Sequence, residues 1–224
     1  MSKTETTPLN KDKATMSTTK EAPNNKSPDY PFLTGAMLAV LAVGFGLANG
    51  SIALAGDSQK EAFNSKIQAL KATDLQWLYL ALVVLGRTIG LLNFVPMVYK
   101  KGMAGNIRSN PFFFETNGDD DEAPTMVLYK QDGPHGMYNR ANRSVQHMIE
   151  NTGGFFAAIG PVGYVFPKQT CAMVVVFCAA RVLHQRGYSS GYGGQAAGFM
   201  LSMLPILTLE GLALTVFLKG QEIY

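Results

Sequence analysis

Long charge-free stretches alternate with polar ones along this 224-residue chain. Residues 1–30 hold almost no apolar side chains and are rich in Ser, Thr, Lys, Asn and Pro. Such a segment buries too little surface to offset its ordering entropy, which predicts disorder. Residues 32–56 then run without a charge, long enough to cross a bilayer with some tilt. Ala53-Leu54-Ala55 has the small-x-small form of a signal-cleavage site. The run is long, however, and its polar preface exceeds a typical signal n-region, which favours a retained helix. Gly46 and Gly50 have the small-xxx-small spacing suited to close helix packing.

Residues 57–74 turn polar again and predict a loop or a short interfacial helix. A second apolar run, 75–99, ends at Lys100-Lys101 and contains Arg87. Residues 100–139 read as a polar loop with the acid run Asp119 to Glu122, a solvated surface that lacks the spaced ligands of a calcium loop. Residues 140–166 begin polar and become apolar. Residues 169–187 predict a shorter span with Arg181 and His184, the Gly-rich stretch 187–198 a turn, and 197–218 a last span interrupted by Glu210. The pattern therefore predicts an all-α membrane protein of five spans, or four if the first is removed. By this division 1–30 is a disordered segment, 31–74 an additional N-terminal span with its loop, and 75–224 a four-helix membrane domain.

Charge adds direction. With five spans, Lys3, Lys11, Lys13, Lys20, Lys26, Lys100, Lys101, Arg108 and Lys130 share a side. Lys60, Lys66, Lys71, Lys168 and Lys219 face the other, which makes the N-terminal side cytoplasmic or its organellar equivalent. A net charge of +3 gives no basic face for nucleic acid. Cys171 and Cys178 are two helical turns apart, too far to bridge, and read as small packing residues.

Charged groups inside hydrocarbon are costly and usually face a protein interior or a cavity. Arg143, His147 and Glu150 lie at i, i+4 and i+7 on one helix face, near the membrane boundary with Arg181, His184 and Tyr188. Two arginines with a carboxylate and a tyrosine suit a polar, anionic ligand; a structural ion-pair network with snorkelling side chains is the alternative. Deeper in the bilayer, Arg87 and Glu210 each lie roughly 18–20 Å from the same membrane face at 1.5 Å per residue. That shared depth predicts a pair, within one subunit or between subunits.

The stretch Arg140 to Gly191 resembles the MAPEG family of membrane-associated proteins in eicosanoid and glutathione metabolism, with closest likeness to the microsomal glutathione transferase 3 type. Arg143-Ser-Val-Gln-His-Met-Ile-Glu150 aligns with the family's Arg-Ala-His-x-Asn-x-x-Glu, and Ala180-Arg-Val-Leu-His-Gln-Arg-Gly-Tyr188 with its Gly-Arg-Val-Leu-Tyr-x-x-Gly-Tyr. Phe155, Gly163 and Pro167 fall in step between them without a gap. The resemblance implies a four-helix bundle per subunit in a homotrimer, in the endoplasmic reticulum or else a mitochondrial or plastid membrane. It also implies a transferase using glutathione as co-substrate, with peroxidase activity toward lipid hydroperoxides or conjugation of lipophilic electrophiles. Arg143, His147, Glu150, Arg181, His184 and Tyr188 would then hold glutathione, and Arg181 would stabilise its thiolate. His147 and His184 replace the family's Asn and Tyr, and no basic residue occurs from Ser189 to Gly198. Thiolate stabilisation would then fall to Arg181, Arg186, protonated His184 or a neighbouring subunit. A non-catalytic membrane scaffold or lipid-binding relative is the second reading, and a small transporter the third.

Overall fold

The structure is a computed structural model that describes residues 27–100, 112–117, 126–191 and 193–223. The expected disorder of residues 1–26 and the acid run Asp119 to Glu122 lie outside the described residues. Seven helices and one hairpin make up the described chain. Their order is α1 (Tyr30–Ala53), α2 (Asp57–Ala72), α3 (Gln76–Lys100), β1 (Phe114–Asn117), β2 (Met126–Tyr129), α4 (Gly133–Asn151), α5 (Gly153–Val165), α6 (Pro167–Ser190) and α7 (Ala196–Gly220). The fold is thus the expected all-α membrane bundle with an additional N-terminal helix.

α1, α3 and α7 are long and apolar enough to cross a membrane, and each begins and ends within three residues of the run that predicts it. α1 starts where the Asp29 carboxylate accepts the Phe32 amide at 3.0 Å, a side-chain cap over an otherwise orphaned donor. Of the two alternatives expected for 57–74, the helix is the one that forms, as α2 from Asp57 to Ala72. It ends in a turn whose Asp74 has φ of 60°, a left-handed conformation that Asp tolerates better than most residues. From that turn Asp74 pairs with Lys168 at 2.8 Å, tying the start of α3 to the start of α6.

The structure corrects the sequence in three places. The span expected at 140–166 is two helices, α4 and α5, broken at Thr152. The break is bridged by the Phe156 amide donating to the Thr152 carbonyl at 2.9 Å. The loop expected at 100–139 contains the antiparallel β1–β2 hairpin, with Phe114 opposite Tyr129, and the first two turns of α4. The span expected at 169–187 is longer, since α6 runs from Pro167 to Ser190, so the connection to α7 is only five residues.

Buried polar side chains fasten these irregular parts. Asn139, 4% exposed, accepts the Phe113 amide at 2.9 Å and donates to the Phe113 and Lys130 carbonyls, both at 2.8 Å. Gln185 donates from α6 to the Leu92 carbonyl of α3 at 2.9 Å. Replacing Asn139 by Leu strands two part-buried backbone groups, the Phe113 amide and the Lys130 carbonyl, while the Phe113 carbonyl keeps the Lys130 amide at 2.9 Å, so the hairpin is expected to detach from α4 at a cost of about 1–3 kcal/mol per stranded group. Faster amide hydrogen exchange across 112–130 is the measurement; unchanged exchange there would contradict this reading.

α6 is the central helix, packed by α3, α4, α5 and α7. One core cluster joins Ala81 and Leu85 of α3, Phe155, Ile159 and Val162 of α5, Val174 and Phe177 of α6, and Leu209 of α7. Cys171 and Cys178 are free and buried in this cluster, as packing residues. A second cluster holds Leu33 and Met37 of α1 against Leu91, Val95 and Tyr99 of α3 and Tyr138 of α4.

Candidate functional site

α4, α6 and the start of α7 converge at the end of the bundle where α3 finishes and α7 begins. The α6–α7 approach is close enough to exclude side chains. A Cβ on Gly198 would strike the backbone of His184, and Cβ atoms on Gly187 or Gly194 would strike each other's backbone. Only glycine permits the first turn of α7 to lie directly on α6 at these positions. That contact delivers Gln195, Ala196 and Phe199 to the polar faces of α4 and α6.

The result is a cavity of about 420 Å³ lined by Arg143, His147, His184, Tyr188, Gln195, Ala196 and Phe199. This lies within the roughly 300–1,000 Å³ range of small-molecule sites. The His147 and His184 rings are stacked, with centroids 5.4 Å apart and planes 15° from parallel. Phe199 closes on His147 at 5.6 Å and Tyr188 on His184 at 5.8 Å. The Ser144 hydroxyl meets His184 Nδ1 at 2.8 Å and fixes the ring, leaving Nε2 as the ring nitrogen not engaged by Ser144.

Arg143 Nη1 donates to Glu150 Oε1 at 2.7 Å, joining the cation and the anion across two turns of α4. Both side chains are partly exposed, so the pair adds little stability by itself. Arg181 lies deeper, 3% exposed, and Nη2 donates to the Ser144 carbonyl at 3.1 Å. Of the six side chains singled out in the sequence, Arg143, His147, His184 and Tyr188 line the cavity. Glu150 reaches it through Arg143, and Arg181 stands behind the Ser144–His184 contact.

Among the described residues, three buried polar atoms here have no hydrogen-bond partner: His147 Nδ1, Arg181 Nε and Gln195 Oε1. Buried polar groups are nearly always paired, so the two unpaired atoms on cavity-lining residues, His147 Nδ1 and Gln195 Oε1, point to a ligand that supplies the partners. The set is mostly cationic or hydrogen-bond-donating, with one carboxylate at its edge. It suits a zwitterionic molecule with excess negative charge. Among the described residues, no group of three His, Cys, Asp or Glu could hold a metal ion.

Sequence spacing missed Ser144, Gln195, Ala196 and Phe199. The signal that could have revealed the α7 contribution is the Gly187, Gly194, Gly198 series, which marks a close approach. The Arg87–Glu210 pair does not form within the chain: among the described residues the ion pairs are Lys60–Asp57, Arg143–Glu150 and Lys168–Asp74. α6 stands between α3 and α7 and keeps them apart.

In comparisons with known proteins, the MAPEG family matches residues 77–215, more than half of the chain. No curated protein and no solved structure matches it.

Proposed function

The chain belongs to the MAPEG family, and from that premise and the shape of its cavity we propose a membrane-bound glutathione transferase. It acts on lipophilic electrophiles, with peroxidase activity toward lipid hydroperoxides, and works as a homotrimer. The observation that carries this reading is the cluster of unpaired polar atoms beside the Arg143–Glu150 pair. Glutathione is a tripeptide with two carboxylates, one ammonium group and a thiol. Arg143 can grip a carboxylate, and Glu150 can accept from the ammonium; the pair is a ready complement to the amino-acid end of the tripeptide. His147 and Gln195 offer partners for its amide backbone. Lipophilic acceptors enter from the bilayer.

The reaction needs no protein nucleophile. The glutathione thiolate attacks an electrophilic carbon, forming a thioether while the leaving group departs with the electron pair. With a hydroperoxide it attacks the terminal oxygen and the O–O bond breaks, giving the sulfenic acid of glutathione and an alkoxide that takes a proton; the thiol of a second glutathione then attacks the sulfenic sulfur, forming the disulfide and releasing water. The protein's task is to lower the thiol pKa and hold the anion. Arg143 and Arg181 supply positive charge from the rim and from beneath, and His184 supplies a ring whose orientation Ser144 fixes.

The test is conjugation of an aromatic chloride by the detergent-purified protein. Arg143→Ala and Glu150→Gln are each expected to raise the glutathione KM about tenfold, one charge-assisted contact in scale. Because the two side chains hold each other, their double variant should lose less than the product of the single losses. Activity in no preparation, with glutathione binding by calorimetry intact, would leave a binding protein without catalysis. That second reading is favoured by one observation: α7 brings an uncharged Gln195 to the cavity rather than a cation.

A further inference from the structure

A second cavity opens where three helix ends meet: the start of α1, the last turn of α3 and the last turn of α6. It measures about 300 Å³ and shares no lining residue with the first. Its walls include Asp29, Tyr30, Tyr99, Arg186, Ser189 and Ser190. The packing of Tyr30, Leu33 and Met37 against Leu91, Val95 and Tyr99 brings the start of α1 to this place. Asp29 and Tyr30 lie outside the 77–215 stretch that matches the family. The cavity is therefore a product of this chain's first helix.

The polar groups on its walls divide by sign. Arg186 is exposed and takes part in no ion pair among the described residues. Asp29 is also exposed; its Oδ1 holds the Phe32 amide at 3.0 Å, and its second oxygen remains for another donor. The Tyr30 hydroxyl is buried beside Ser189 yet completes no hydrogen bond among the described residues. The Ser189 hydroxyl donates to the Gln185 carbonyl at 2.7 Å, and that of Ser190 to the Arg186 carbonyl at 2.8 Å. Both protons are committed to α6 itself, so toward the cavity the two serine oxygens act as acceptors.

One cation and one hydroxyl donor thus face one anion and two hydroxyl acceptors. A simple anion would satisfy Arg186 but meet the Asp29 carboxylate, and like charges brought together are penalised. A quaternary ammonium has no N–H to give to Asp29 or the serines. A phosphate joined to a primary ammonium satisfies both halves, since guanidinium binds phosphate strongly and an ammonium carries three donors. The position agrees, because α1 and α3 are apolar spans whose ends lie where lipid headgroups begin.

We propose that this cavity binds a phosphoethanolamine group, with the phosphate on Arg186 and the Tyr30 hydroxyl and the ammonium between Asp29 and the two serines. A bilayer presents that group as phosphatidylethanolamine; the aqueous phase presents it as glycerophosphoethanolamine. Binding is read directly, so the proposal does not depend on the catalytic reading.

The experiment is native mass spectrometry of the full chain in mild detergent, titrated with phosphatidylethanolamine, phosphatidylcholine, phosphatidylglycerol and glycerophosphoethanolamine. One phosphatidylethanolamine per subunit is expected, held about tenfold more tightly than the other two lipids, the scale of one charge-assisted contact. Arg186→Gln should weaken it about tenfold. Asp29→Asn keeps a capping side chain for α1 but loses the charge. It should weaken phosphatidylethanolamine and strengthen phosphatidylglycerol. Glycerophosphoethanolamine that fails to bind assigns the site to the bilayer, and equal binding of it assigns the site to a solute; either outcome supports the recognition. Phosphatidylcholine or phosphatidylglycerol held as tightly as phosphatidylethanolamine would overturn the proposal. So would two variants that bind phosphatidylethanolamine like the wild type. Both substituted side chains are exposed, so the fold is expected to persist, and an unchanged thermal unfolding profile checks this.

Discussion

Gly198→Ala is expected to be among the most damaging single-methyl changes in the protein. The added Cβ meets the main-chain nitrogen and Cα of His184 and the carbonyl of Ala180, none of which can rotate aside. Relief requires α7 to move off α6 as a body. Overpacking of this kind costs about 1–3 kcal/mol, and contact with backbone on the facing helix puts this site at the upper end. Gln195 and Phe199 ride on that first turn, so the cavity should widen on one wall and glutathione affinity should fall at least tenfold. Calorimetry and thermal unfolding of detergent-purified protein measure the two effects. Gly160→Ala is the matched control: its Cβ would meet nothing within 4 Å. It should sit within about 1 kcal/mol of the wild type, on the stabilising side given the helix preference of Ala over Gly. Equal stability of the two variants would contradict the close α6–α7 approach.

Arg181→Ala is expected to lower kcat/KM about a hundredfold or more, the scale of removing one preorganised group that stabilises an anion. The loss should appear in kcat, since Arg181 stands behind the Ser144–His184 contact rather than on the cavity wall. The informative readout is the pH dependence of thiolate formation on the bound glutathione, followed by ultraviolet absorbance. Losing the cation should move that titration to higher pH, and Arg181→Lys should recover part of the shift. Truncation also removes the charge-assisted bond to the Ser144 carbonyl, at about 1.5–3 kcal/mol. Assembly and thermal unfolding therefore have to accompany the kinetics. A stable Arg181→Ala protein with wild-type kcat/KM and an unmoved titration would remove Arg181 from the chemistry.

How much of this was legible in the sequence depends on what reports each feature. α1, α3 and α7 carry unbroken apolar runs, and bilayer length alone places them closely. α4 carries no such run. Its inward face holds Asn139, Asn142 and Ser144, whose burial depends on partners far along the chain. Pro134 and Gly136 near its start also look like loop residues. Proline in fact suits a first helical turn, and α4 has it there. Helical spacing correctly gathered Arg143, His147, His184 and Tyr188 at one cavity, because each pair lies on a single helix. It gave no access to Ser144–His184 or to Gln195, which are meetings between helices. Equal depth suggested a pair of Arg87 with Glu210 that does not form among the described residues: depth is blind to azimuth, and α6 packs against both α3 and α7.

α1 touches the bundle through Tyr30, Leu33 and Met37 and is exposed over most of its length. It also lies outside the stretch matched by the family. The helices from α3 onward complete their own core without it, apart from the patch over Leu91, Val95 and Tyr99. Selection can therefore act on this first helix separately. Its length, flanking residues and surface chemistry are free to specialise as an address, a tether or a docking handle, while the cavity among α4, α6 and α7 stays as it is.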